Sequence, residues 1–195
     1  MNLDWASFPS FELLPSVRLS RVHDGGRHPA FFSDRGTWRF DPTLGDRIQM
    51  RFGTCYAAET DLGAYLEVFG RVGTVPVSLI ESRSLSHLRC NSSIRLANLT
   101  DPRAAGFSVN ASFSADKDYG HSQQLASVLF AHGFQGIRYY IRHDPSQSLT
   151  AVALFYEPGQ HETYFDQVDT KGISLDLIDR AETNFAIKVL HAPPL

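Results

Sequence analysis

Apolar and polar positions keep a regular period in only a few places along the chain, and those places set its frame. Residues 17–22 alternate closely enough for a strand that carries Arg18 and Arg21. Residues 54–58, β-branched, aromatic or small behind a glycine, read as a short and largely buried strand. The period then changes. Leu62, Tyr65, Leu66 and Phe69 recur at helical spacing behind Thr60, which can cap a helix with Asp61 in its first turn and Gly70 at its end. A second helix, starting at Asp118 or Ser122 and stopped by Gly133, presents Leu125, Ala126, Val128 and Leu129 as its apolar face. Residues 136–142 (GIRYYIR) and 150–156 (TAVALFY) are the clearest remaining strands, joined by a polar loop with Asp144 and Pro145.

Elsewhere the pattern is fainter. Residues 74–80 (TVPVSLI) read as a strand that Pro76 pushes toward an edge, and 94–99 as a short strand before a Thr100-Asp101-Pro102 turn. The polar stretch 81–98 is otherwise ambiguous, 107–115 has no clean period, and 173–178 and 185–190 read as strands or short helices. Residues 23–36 have loop chemistry, and 37–41 (TWRFD) then place Arg39 between Trp38 and Phe40. Many short strands with two firm helices, not alternating regularly, predict an α+β domain with a mainly antiparallel or mixed sheet.

Length and charge narrow the function. A chain of 195 residues, 43% hydrophobic and 20% charged, suits one soluble domain. A net charge of -3 gives no global footprint for nucleic acid, so direct nucleic-acid binding is not expected. Cys55 lies in a buried strand pattern and Cys90 in a polar loop, which fits a reducing compartment better than a disulfide scaffold. The N-terminus lacks a basic start and apolar core, and no apolar run reaches membrane-spanning length; the reading is cytoplasmic, without a membrane. No GxGxxG follows a strand, no GxxxxGK[ST] or GxSxG occurs, and the eight histidines form no HExxH, so no metal is expected.

Glu67 is the awkward residue. It follows Leu66 at the margin of the apolar face, about 100° round the helix from its neighbour. Spacing alone favours a solvated flank residue, but a carboxylate there can also point along a seam between helix and sheet. The candidates beside it are Arg21 and Arg39, with Tyr56, Trp38 and Phe40; singly, such arginines are most often surface residues and such aromatics core. Taken in order, the LSRV segment with Arg21, WRFDP, GTCYAAETDLGAYLEVF, DYGHSQQLA, and GIRYYIRHD followed by TAVALFYEP resemble the RES domain family.

The resemblance spans residues 17–158, with 1–16 as an N-terminal extension packing on the core and 159–195 as a C-terminal extension of the same domain. It implies an ADP-ribosyltransferase-like split sheet, mixed or antiparallel with a few flanking helices, and NAD as substrate in the cleft between its halves. Arg21 matches the family arginine that would hold the diphosphate or ribose, and Glu67 the glutamate that would oppose an oxocarbenium-like transition state. Tyr56 falls where an aromatic lines the nicotinamide pocket. Arg39, Ser122 and Tyr140 join Arg21 and Tyr56 as candidate NAD contacts. The implied acceptor is water or inorganic phosphate, and the implied partner an antitoxin that occludes the cleft.

Two positions depart from the family pattern. Ile141 stands where the family serine usually lies, two residues after the GI-x-Y segment, and Ser20 where many members have an aromatic. Three functions follow: an NAD-degrading toxin, a catalytically weakened NAD- or nucleotide-binding module, and an ADP-ribosyltransferase acting on a macromolecule.

Overall fold

The computed structural model describes residues 3–43, 45, 52–109 and 118–191. Eight strands make the main sheet. Its first half is β1 (Ser10–Leu13), β7 (Ile94–Asn98), β8 (Gly136–Tyr140), β9 (Thr150–Tyr156) and β4 (Gly53–Ala58), side by side in that order. Its second half is β2 (Arg18–Asp24), β6 (Arg83–Cys90) and β11 (Phe165–Gly172). Within the main sheet β7 and β8 pair in parallel, and the other neighbours are antiparallel. The expected α+β class with a mixed sheet is therefore what the chain adopts.

The halves meet at one point. β2 is in register with β6 over seven residue pairs and β4 with β9 over six, whereas β2 and β4 share the single pair Ser20–Ala58. Beyond that pair the two strands diverge, and helix α1 (Asp61–Phe69) lies over the gap, packed on β2 and β4. Its Leu62, Tyr65, Leu66 and Phe69 enter a large core cluster with Leu125, Ala126 and Leu129 of α3 (Gly120–Ala131) and Leu177 and Ala181 of α4 (Leu175–Phe185). A second cluster on the opposite face gathers Leu19, Cys55, Ala57, Leu88, Val152 and Leu154. Alternation along β4 explains the division: Cys55 and Ala57 face one cluster and Ala58 the other.

Several elements differ from the sequence reading, each for a physical reason. The stretch 81–98 hides β6, the central strand of its half-sheet. β6 buries Ser86 and His87 where apolar residues would have marked a core strand. Ser86 Oγ hydrogen-bonds His23 Nε2 at 2.8 Å and Thr170 Oγ1 at 2.6 Å, so burial costs it no unpaired group. Cys90 ends this strand, 1% exposed, and is not in a polar loop. Residues 77–80 are helical: Pro76 closes β5 (Thr74–Pro76) and sits at the N-cap of α2 (Val77–Glu81). β5 pairs in parallel with β12 (Lys188–Leu190), in a small second sheet built partly from the chain's end.

The α3 helix begins between the two expected starts, with Asp118 Oδ1 accepting from the Gly120 N–H, and Gly133 follows its end at φ 79°. The stretch 107–115 lies mostly outside the described residues. Residues 159–172, read from sequence only as an extension, add β10 (Gly159–Gln160), paired with β3 (Phe31–Phe32), and β11 on the edge of the main sheet.

Candidate active site

The Thr60 hydroxyl accepts from the Gly63 N–H at 3.0 Å and fixes the start of α1, so the helix runs along the gap between β2 and β4. Its inner residues take the core, and Glu67, on the flank between Leu66 and Val68, faces a cavity of about 370 Å³. The marginal position read from the sequence is thus a cavity wall. β2 supplies Arg21, His23 and Asp24, β4 supplies Tyr56 and β8 supplies Tyr139; Trp38, Arg39 and Phe40 close the cavity from the loop before β4.

Glu67 sits in a small electrostatic cage. Its Oε2 accepts from the Tyr139 hydroxyl at 3.2 Å. Arg39 stacks its guanidinium 5.7 Å from the Tyr139 ring centre and 5.6 Å from that of Phe40. Burial raises the Glu67 pKa above the ordinary carboxylate value; the charge of Arg39 and the Tyr139 hydrogen bond oppose the rise without cancelling it. Tyr139 is itself buried and titrates well above 10, so its hydroxyl keeps its proton and remains a donor.

The loop that carries Arg39 is held from several sides. Asp41 Oδ2 accepts from the Thr37 and Trp38 N–H groups at 2.9 and 3.1 Å, and Gln123 Nε2 of α3 donates to the carbonyls of Gly36 and Trp38. Tyr56 ties that loop to β4: its hydroxyl donates to Asp41 Oδ1 at 3.1 Å and accepts from the Phe40 N–H at 2.8 Å. Tyr56 lines the cavity with its ring while its polar end is spent on the loop. Arg21, on the other wall, donates to the Phe31 carbonyl at 3.2 Å and to Cys55 Sγ, contacts that orient its guanidinium at the gap.

Charge distinguishes the cavity from the rest of the protein. Arg21, Arg27, Arg39, Arg71, Arg83 and Arg142 all line it, against the carboxylates of Glu67 and Asp24, in a chain whose net charge is -3. Two histidines on the same walls have their pKa values lowered. Burial lowers the pKa of His143, and Arg142, Arg71 and Arg39 lower it further; burial likewise lowers that of His23, with Arg21 adding to the effect. Among the described residues no group of three or more His, Cys, Asp or Glu side chains is placed to hold a metal ion. Nor is any described helix long and apolar enough to cross a membrane.

Of the residues singled out from the sequence, Arg21, Arg39, Tyr56 and Glu67 share this cavity. Ser122 and Tyr140 are not among its lining residues. Ser122 is buried in the first turn of α3, its hydroxyl donating to the Tyr119 carbonyl at 3.2 Å. Tyr140 follows Tyr139 on β8, and successive side chains on a strand face opposite ways. Tyr139 is the residue the sequence reading passed over. The strand period held the clue, because Ile137 and Tyr139 share the core face. Ile141 is 1% exposed and lies close under α1, its Cδ1 2.9 Å from where a Cβ on Gly63 would stand.

These walls describe an α+β protein with a carboxylate and a cationic lining gathered where two half-sheets part. The chain belongs to the RES domain family, whose model matches residues 17–173 and so takes in β10 and β11. One solved structure with the same fold is a chain of the crystal structure of the M. tuberculosis MbcT–MbcA toxin–antitoxin complex. It superposes with a TM-score of 0.61 over 84% of this chain and 87% of that one, at 14% sequence identity. None of the curated proteins matches the sequence.

Proposed function

We propose that the protein cleaves the bond between nicotinamide and ribose in NAD and acts as the toxin of a toxin–antitoxin pair. The observation that carries this reading is the half-buried Glu67 carboxylate, bonded to Tyr139, in a cavity walled by arginines. Membership of the RES domain family supports it, as does the likeness of fold to a toxin–antitoxin complex. In this reading the two half-sheets are those of an ADP-ribosyltransferase-like fold, with NAD between them.

The chemistry is charge balance. As the C1′–N bond breaks, its electron pair leaves with neutral nicotinamide, and positive charge develops on the ribose. An ionised Glu67 opposes that charge and hydrogen-bonds a ribose hydroxyl, an arrangement that favours the transition state over the ground state. Arg21 holds the diphosphate by charge-assisted hydrogen bonds, with Arg39 contributing from the opposite wall. Water or inorganic phosphate then adds at C1′. An antitoxin that occludes the cleft keeps such an activity in check, and NAD as substrate agrees with a cytoplasmic protein.

Ile141 favours a second reading. With no hydroxyl at the position of the family serine, the cavity of a catalytically weakened module would still bind NAD or another nucleotide. An ADP-ribosyltransferase acting on a macromolecule would instead move label from NAD into protein or nucleic acid.

Purified protein incubated with NAD, with and without phosphate, separates these readings. The toxin reading expects nicotinamide release by the wild type and a fall of about 10² or more in rate for Glu67→Gln. Arg21→Ala should weaken NAD binding by about 1.5–3 kcal/mol, read as a raised KM. Equal rates in wild type and Glu67→Gln would remove the glutamate from the chemistry. NAD left intact but bound would favour the second reading.

A further inference from the structure

One part-buried polar cluster has no part in that chemistry, and it lies where the two half-sheets meet. Ser20 and Ala58 form the single pair between β2 and β4, and Asp61 opens α1 three residues after Ala58. The Ser20 hydroxyl donates to Asp61 Oδ1 at 2.6 Å, and His87 Nε2 donates to the same oxygen at 2.8 Å. His87 is also the cross-strand partner of Ser20 in the β2–β6 ladder. One carboxylate oxygen therefore ties together β2, β6 and the first turn of α1.

Two of its three members are enclosed, Asp61 is about a quarter exposed (27%), and the Asp61 charge is stabilised. Ser20 is 2% and His87 7% exposed. Burial works against ionisation of Asp61, yet the hydrogen bonds from Ser20 and His87, with the charges of His87 and Lys171, hold its pKa below the ordinary value. The other His87 nitrogen faces Asp169 of β11 at 3.7 Å, beyond hydrogen-bond reach.

Its position matters because of what stands on either side. Arg21 is the next residue after Ser20 on β2, and Glu67 stands six residues after Asp61, about 9 Å along α1. With a single backbone pair between β2 and β4, what spans the junction besides is the packing of α1 and side-chain bonds such as these. Arg21 and Glu67, one on each side of that junction, both line the cavity.

We propose that Ser20, Asp61 and His87 form a hinge pin that holds the half-sheets at the opening in which Arg21 and Glu67 address one ligand. Asp61 is then a positioning residue, acting through α1 and β2 without touching the substrate. This rests on the NAD-cleaving reading above.

The test is NAD kinetics per folded molecule, well below the melting temperature, for wild type, Asp61→Ala and Asp61→Asn. Asp61→Ala should lower kcat by about ten-fold or more with KM within about three-fold, because misplacement of a reacting group costs rate before it costs binding. Asp61→Asn keeps an acceptor oxygen in place and should recover most of the loss. Ser20→Ala and His87→Gln should combine less than additively in kcat, since both act through one oxygen. If Asp61→Ala fails to fold, Ser20→Ala, which leaves the Asp61–His87 bond in place, makes the same comparison. A wild-type kcat in the variant that removes the contact, or an effect confined to KM, overturns the hinge pin. So does an Asp61→Asn no better than Asp61→Ala. A wild type that leaves NAD intact overturns the underlying reading instead.

Discussion

At Glu67, stability and chemistry pull in opposite directions. Burial raises its pKa, so the folded state holds the proton more tightly than the unfolded chain does, while the proposed chemistry needs the ion. Between the unfolded value near 4.5 and the raised folded value, the native state binds more protons than the unfolded chain, and stability falls as pH rises through that window. Glu67→Gln should therefore melt higher than wild type at pH 7, with the gap closing as the pH is lowered below 4.5, while activity is lost. Thermal melts across pH would check it, and a variant that melts lower at pH 7 would contradict the burial cost. The same ionisation should appear as an acid limb in kcat/KM lying above the ordinary glutamate pKa. Tyr139→Phe removes a hydrogen bond that favours the charged form, so the limb should move to higher pH. An unmoved limb would show that Tyr139 does not govern this proton.

The α1 helix is the element on which the site depends, and Gly63 lets it approach. A Cβ at Gly63 would stand 2.9 Å from Ile141 Cδ1, 3.1 Å from Ala58 Cβ and 3.2 Å from Thr60 Oγ1. Alanine in a helix interior usually gains up to about 1 kcal/mol over glycine. Here overpacking against the sheet should outweigh that, leaving Gly63→Ala less stable by about 1–3 kcal/mol in urea unfolding. Ile141→Val removes the Cδ1 methyl and should restore part of the loss in the double variant. Additive effects in the two variants would mean that this contact does not set the helix height. The helix start and face were legible in the sequence because capping and periodicity are local. That Glu67 faces a cavity was not, since the margin of a helix is wet or enclosed according to what lies across from it.

Across the whole molecule, each half-sheet is finished by residues far away in sequence. β11 covers β6 in seven register pairs, and the Tyr164 hydroxyl just before it donates to the Phe155 carbonyl of β9 at 2.8 Å. A chain ending at residue 158 would leave β6 as an open edge and uncover Leu88 and Cys90, which are otherwise fully enclosed. We expect it to lose cooperative unfolding and solubility, as measured by circular dichroism melts and sedimentation. A soluble fragment with a sharp wild-type transition would show that the fold does not need residues 159–195.

Elements whose signals are local can be read from the chain alone: the capped α1 helix, the apolar face of α3, the strands at 136–140 and 150–156, and, through the order of its motifs, the family. Segments that pack through polar side chains emerge only once the chain is folded. β6 stayed hidden because Ser86 finds its partners on the neighbouring strands and His87 finds its own at the start of α1, and a buried polar group looks like a solvated one until its partner is known. Tyr139 rather than Tyr140 reaches Glu67 because strand orientation, not residue type, chooses the face. The cavity's positive lining likewise vanishes in a net charge of -3, since arginines separated by up to 121 positions, from Arg21 to Arg142, meet only when the two half-sheets fold against each other.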